Sequence, residues 1–205
     1  MIDFNEWLMQ LSNHYFVPLF STNDGLLVNV KTKNDRTLLM RSADMENAVI
    51  STIENNISND AWEGLIYVMG KGLAASFQPM YIGKAEKKGV TNPISENIKN
   101  IRKNQHKFAR WGDGIAYHIG DLSHAMYGFQ AYKKPSKKYM TWAKALFETN
   151  DPPMLKEPIF FFIAPWFTGD KGLSGLSCSL PAVEKEMIAI ASVQFADTLL
   201  NVDGI

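Results

Sequence analysis

Apolar residues recur at helical spacing from the start of the chain. Phe4, Trp7, Leu8, Leu11 and Tyr15 form one stripe that runs until Pro18, with Asp3 or Asn5 as its cap, so a helix is predicted there. After the turn residues Asn23-Asp24-Gly25, the runs Leu26–Val30 and Thr37–Met40 flank the polar stretch Lys31–Arg36 and read as a hairpin. Asp44 to Ile57 returns to helical spacing, with Met45, Ala48, Val49, Thr52 and Ile53 as the buried stripe. No catalytic constellation is visible in residues 1–60, which are expected to be an accessory α+β region.

From residue 61 the pattern becomes strand, loop, strand and helix. Leu65–Met69 and Met80–Ile82 are the strands, and Ser95 to about Lys107 is predicted helical, with Ile94, Ile98 and Ile101 on its apolar edge. Arg102 and His106 stand four residues apart, so on such a helix they project side by side, with Lys99 and Lys103 nearby. Gly112-Asp113-Gly114 marks a turn, Ile115–Ile119 reads as a strand, Lys133–Met140 as a basic loop, and Met140–Phe147 as a helix. Ile159–Ile163 is apolar on both faces and should be a central, covered strand. Gly169–Ser179 is a connection rich in glycine and serine, and Pro181 opens a last long helix. The fold class expected is α+β: a small central mixed or antiparallel sheet flanked by helices, formed by residues 61–205 with an insertion at about 108–157.

The 205 residues, 46% hydrophobic with mean hydropathy −0.15, suit one compact domain with a small appendage. No run approaches the roughly 20 apolar residues of a membrane helix, and the amino terminus lacks a basic region leading into an apolar core, so a cytoplasmic protein without a membrane partner is expected. The single cysteine, Cys178, excludes an internal disulfide and a cysteine-rich zinc site. Net charge is zero, yet residues 84–138 hold twelve Lys/Arg against four Asp/Glu, an excess of +8 that the rest of the chain balances with −8. Such an asymmetry suits one face turned to a polyanion, or a set of solvated helix faces.

Chemistry concentrates where the strands carry tyrosine. Ile66-Tyr67-Val68 and Tyr81-Ile82-Gly83-Lys84-Ala85 each deliver a phenol; Gly83 would let a phosphate approach the backbone, and Lys84 stands beside it. Taken alone, either tyrosine suits a half-buried sheet face equally well. On the last helix, Glu184 and Glu186 point to different faces. His118 and His124 lack a metal-ligand spacing, and His118 on a strand reads as a packed or hydrogen-bonded residue.

With these pieces in order, residues 62–205 resemble the GIY-YIG nuclease family. The resemblance rests on Ile66-Tyr67, on Tyr81-Ile82-Gly83-Lys84-Ala85, on Arg102 with His106, on Glu184 within Val183-Glu184-Lys185-Glu186-Met187-Ile188, and on Leu200-Asn201-Val202. Gly64 is displaced by one position from the family's first half-motif, and Arg110 is a second candidate for the family arginine. The resemblance implies a metal-dependent endonuclease, restriction-like or associated with defence or mobile elements. Glu184 would hold Mg²⁺ or Mn²⁺, Arg102 would neutralise the phosphate, and Tyr81 would hydrogen-bond the phosphate or the water. Tyr67 would orient or deprotonate the water with help from Lys84 or His106, because a free phenol has a pKa of about 10; base duty stays open between Tyr67 and His106. Gly83, Lys84 and Asn201 would support the site, and Lys84, Lys87, Lys88, Lys99, Lys103, Lys107 and Arg110 would meet the nucleic acid. DNA is the expected partner, with RNA left open, and cutting two strands with one site per chain would suit a homodimer. The alternative is a non-catalytic nucleic-acid-binding or interaction protein on the same scaffold.

Overall fold

The computed structural model describes residues 3–128 and 134–201. Lys133 and Val202, both named above, lie outside them. The elements in chain order are α1 (Phe4–Gln10), β1 (Tyr15–Pro18), β2 (Thr22–Asn23), β3 (Leu27–Val28), β4 (Val30–Lys33), β5 (Arg36–Leu39), α2 (Ala43–Asn56), β6 (Trp62–Lys71), β7 (Gln78–Glu86), α3 (His118–Tyr127), α4 (Lys137–Leu146), β8 (Phe147–Asn150), β9 (Pro153–Leu155), β10 (Ile159–Phe167) and α5 (Leu180–Gln194).

The principal sheet is antiparallel throughout, in the order β1-β10-β6-β7, and helices cover both its faces. This is an α+β architecture. The alternation of β6 divides the interior in two. Leu65, Tyr67 and Met69 face a core shared with Val49 and Ile53 of α2, Ile119 and Leu122 of α3, and Trp142 of α4. Ile66 and Val68 face the other core, with Phe4 and Leu8 of α1 and Val183 and Met187 of α5. The run Ile159–Ile163 lies in β10, paired on both sides, which is why both its faces are apolar.

Residues 1–60, expected as an accessory region, supply the edge strand β1 and helices on both faces of this sheet. The first helix is shorter than its stripe. Leu11 ends α1, Asn13 turns with a positive φ of 54°, and Tyr15 begins β1. The hairpin is tighter than expected, with Lys33 opposite Arg36 and the two-residue turn Asn34-Asp35, both at positive φ as a primed turn requires. Leu27–Val28 instead joins a second sheet of order β2-β3-β9-β8.

Two larger corrections bear on the site. The helix expected over Ser95–Lys107 is absent: the chain makes single turns, such as Lys99 N–H to Ser95 O and Asn104 N–H to Asn100 O, then a short irregular 3₁₀ segment at Gln105–Arg110. Asn100 takes a left-handed φ of 50°, a conformation that asparagine accepts and that ends a right-handed helix. Ile98 and Ile101 are buried all the same, so the apolar spacing reported burial without helix. The strand expected at Ile115–Ile119 is a loop that leads into α3 at His118. Helices α3 and α4 lie within the stretch 108–157 read as an insertion. Among the described residues, no helix is long and apolar enough to cross a membrane.

Candidate active site at the edge of the sheet

Strand β7 is the outer strand beside β6, and the register sets Tyr67 opposite Gly83 and Met69 opposite Tyr81. Directly opposed residues share a face, so both phenols leave the sheet on the same side, with ring centroids 6.4 Å apart. A register shift next to Tyr81, where two residues of β7 oppose one step of β6, places Met80 and Tyr81 irregularly. The space at Gly83 is taken by protein: a Cβ there would lie 2.7 Å from Cε2, Cζ and Oη of Tyr67. The glycine therefore makes room for a phenol, which corrects the expectation that it admits a phosphate.

An edge strand leaves alternate backbone groups without a ladder partner. Here Asn201 takes them at Ile82, accepting from its N–H at 2.9 Å through Oδ1 and donating to its carbonyl at 2.9 Å through Nδ2. Leu200 N–H donates to Met80 O, and the Glu184 carboxylate lies beside the backbone of Lys84, the next outward residue. Glu184 sits in the first turns of α5, on the opposite face of the sheet from the tyrosines, and reaches round the edge to join them. Glu186, two residues on, is turned away and accepts from Ser174 N–H at 2.6 Å.

Together these groups line an open recess of about 390 Å³. Tyr67, Tyr81, Lys84 and Glu86 come from the strands, and Glu184 comes from α5. Ser95, Asn97 and Arg110 come from the irregular segment, and His118, Lys138 and Tyr139 come from α3 and α4. Beneath it Tyr67 stacks on Phe161 at 5.8 Å and meets Trp111 edge-on at 6.1 Å. Lys84 Nζ lies 2.6 Å from Glu86 and 3.9 Å from Glu184. Lys138 Nζ lies 4.8 Å above the Tyr81 ring, and the Arg110 guanidinium lies 5.3 Å above Tyr117.

Desolvation shapes the protonation of this cluster. Burial first, then the neighbouring Tyr81 and Glu184, pushes the Tyr67 phenol well above its usual range. Burial, reinforced by Lys138 and Arg110, holds the His118 imidazole well below its usual range and hence neutral near pH 7. Burial also raises the Tyr139 phenol, whose Oη stands 2.7 Å from His118 Nδ1. The Glu184 carboxyl is raised by burial, with Glu86 adding to the effect and Lys84 opposing it.

Among the described residues, no group of three or more His, Cys, Asp or Glu is arranged to hold a metal ion. A hard cation that keeps most of its waters needs less: one or two carboxylates plus substrate phosphate. Glu184, a partly desolvated carboxylate facing the recess, fits that donor set.

The structure brings together Tyr67, Tyr81, Lys84, Arg110 and Glu184 and leaves out two expected members. Arg102 is exposed and forms a two-pronged pair with Glu54 of α2, at 2.9 and 2.6 Å. His106 is exposed and does not line the recess; its carbonyl accepts from Gly114 N–H. Both misplacements follow from the missing helix. Arg110, the second candidate, lines the recess that Arg102 does not reach, and His118 lines it where His106 does not. Of the cations assigned to nucleic acid, Lys99 and Lys107 pair with Glu96, Lys87 donates to Asn59 O, and Lys103 flanks Arg102 along a separate groove. Lys87 and Lys88 line a third recess that shares Glu86 with the first. Sequence reasoning missed Lys138, Tyr139 and Asn97 as site residues; His118 is packed and hydrogen-bonded as expected, and it also lines the recess. The phenol and imidazole of Tyr139 and His118 meet across two helices, which no spacing along the chain reveals.

No protein-family model, no curated protein and no solved structure matches the chain.

Proposed function

We propose that this chain is a metal-dependent endonuclease of the GIY-YIG kind that hydrolyses phosphodiester bonds in DNA. The observation that carries the reading is the convergence of Tyr67, Tyr81, Lys84, Arg110, His118 and Glu184 on one open recess, from both faces of a sheet and from two segments beyond it. Three cations, Lys84, Arg110 and Lys138, suit a phosphate diester. Hydrolysis requires a water in line with the leaving oxygen, donors for the non-bridging oxygens, and relief of charge as the leaving bond breaks. Arg110 reaches the recess from the solvent side and neutralises the non-bridging oxygens. Tyr81 donates to the phosphate. Tyr67, held protonated by burial, orients the attacking water, whose proton passes to solvent through the open recess. Glu184 would hold a Mg²⁺ or Mn²⁺, which when bound would offset charge at the leaving oxygen and lower the pKa of water there.

Cleavage of plasmid DNA in Mg²⁺ or Mn²⁺ tests this. Wild type and Arg102→Ala should cut, whereas Glu184→Ala and Arg110→Ala should lose about 10²-fold or more in rate, the scale of removing one charge-stabilising group. Absence of metal-dependent cutting by the wild type would refute the reading, and salt-sensitive binding without cutting would favour a non-catalytic nucleic-acid module.

A further inference from the structure

Among the described residues, His118 carries a nitrogen without a hydrogen-bond partner. The residue is 3% exposed, lines the recess, and makes its contact through Nδ1, to Tyr139 Oη at 2.7 Å; Nε2 is buried and unpaired. A buried, unpaired polar atom costs about 1–3 kcal/mol, so its presence in a recess lined with cations calls for a ligand.

Two tautomers satisfy the 2.7 Å contact, and they differ in what they leave unpaired. If Nδ1–H donates to the phenol oxygen, the phenol proton and the bare Nε2 both lack partners. If the phenol donates to a bare Nδ1, only Nε2–H lacks one. The second arrangement strands fewer groups and uses the stronger donor on the stronger acceptor. It leaves an N–H in the wall of a recess that Lys84, Arg110 and Lys138 also line.

Resting on the phosphodiesterase reading above, we infer that His118 is a catalytic residue that binds a non-bridging phosphate oxygen as an uncharged donor through Nε2–H, and that Tyr139 is the positioning residue that fixes this tautomer. The imidazole packs against Trp111 and Trp142 at ring separations of 4.9 and 5.1 Å, and its polar neighbours come from three elements. Lys138 and Tyr139 face the imidazole from α4, Arg110 from the irregular segment, and Tyr81 from β7 at a ring separation of 5.0 Å; Lys84, Tyr67 and Glu184 line the same recess. Lys138 and Arg110 disfavour an imidazolium beside them, so the ring contributes a directional hydrogen bond where the two cations contribute charge. Proton acceptance by His118 is excluded by the same tautomer, because its free nitrogen already carries hydrogen.

The test uses the full chain, DNA and Mg²⁺. Glutamine places an amide N–H near the position of Nε2 and cannot act as a base, whereas leucine fills the volume without a donor. His118→Gln should keep cleavage within about tenfold of wild type, and His118→Leu should lose about 10²-fold in kcat. Equal loss in both variants would assign His118 as a base and overturn the inference, as would equal retention. A ¹⁵N-histidine spectrum of the metal-free protein reads the tautomer without any turnover: Nε2–H with an acceptor Nδ1 is expected, lost in Tyr139→Phe, and an Nδ1–H tautomer would overturn the inference even if DNA is cut. A wild-type protein that cuts no DNA overturns the nuclease reading and this inference together, while wild-type cutting unaffected by His118→Leu removes the inference alone.

Discussion

Gly83→Ala should be destabilising in the native chain and stabilising once Tyr67 is shortened, a change of sign that isolates one contact. The added Cβ would stand 2.7 Å from three atoms of the Tyr67 ring, where ordinary carbon contacts are about 3.5–4.0 Å. The ring has little freedom to yield, because it is 2% exposed and held between Phe161, Trp111 and Tyr81. Forcing extra volume into a packed interior costs about 1–3 kcal/mol. Alanine opposes this with a smaller loss of backbone entropy than glycine in a strand, about 0.5–1 kcal/mol. The net expectation is a loss of up to about 2.5 kcal/mol for Gly83→Ala alone, the difference of the two ranges. Tyr67→Val withdraws the side chain from residue 83, so in that background Gly83→Ala should gain about 0.5–1 kcal/mol. Urea unfolding of the wild type, both single variants and the double variant measures all four stabilities. Additive effects within about 0.5 kcal/mol would refute the reasoning, since they would mean that residue 83 and the phenol do not meet.

Other consequences are equally direct. Burial raises the Glu184 carboxyl, so the folded state favours its protonated form; that preference is satisfied below the usual carboxyl range near pH 4.5 and lost as pH rises. Glu184→Gln should accordingly raise the Tm of the metal-free protein at pH 7.5, and Mg²⁺ or Mn²⁺ should raise the Tm of the wild type but not of the variant; cation-independent melting of the wild type would count against Glu184 as the ligand. His118 titrates below its usual range, so the unfolded chain binds the extra proton and stability falls as pH drops below about 6.5. The urea midpoint of His118→Gln should therefore fall less than that of the wild type between pH 7 and pH 5, and parallel curves would contradict the buried neutral imidazole. Asn201→Leu removes both edge bonds to Ile82 and should cost about 1–3 kcal/mol, with faster hydrogen exchange at Ile82 N–H; unchanged exchange would mean that the carboxy-terminal segment does not close the edge.

The tyrosine strands were legible because pairing is local. Two apolar runs next to each other in the chain form an antiparallel pair despite the long connection between Tyr67 and Tyr81, and the register then brings Tyr67 across from Gly83 and near Tyr81. The covered strand β10 was legible for a related reason: an apolar run on both faces needs a layer on each side. The arginine and histidine were not. Helical periodicity at Ile94, Ile98 and Ile101 expresses which residues the core requires, and a chain of turns pivoting on Asn100 buries Ile98 and Ile101 as a helix would. Once the helix is lost, the four-residue spacing of Arg102 and His106 no longer means adjacency, and Arg102 swings out to Glu54. Lys138 and Tyr139 were invisible because their proximity to β7 depends on how α4 packs across α3, a tertiary fact with no periodic trace.

The position of the recess at the border of the sheet follows from the same physics that stabilises the fold. Each face of the sheet is closed by its own core, so a carboxylate on α5 and a pair of phenols on the opposite face can meet only by going round an edge. Strand β1 occupies one border and β7 the other, and β7 presents backbone groups that need partners. Asn201 meets that need at Ile82, and the Glu184 carboxylate lies beside the backbone of Lys84. Its place beside Lys84 brings the Glu184 carboxylate to the recess that Tyr67 and Tyr81 line from the opposite face. The edge that would otherwise invite pairing with another chain is thereby covered at Ile82 and Lys84, and Glu184, one of the two groups that cover it, also completes the recess.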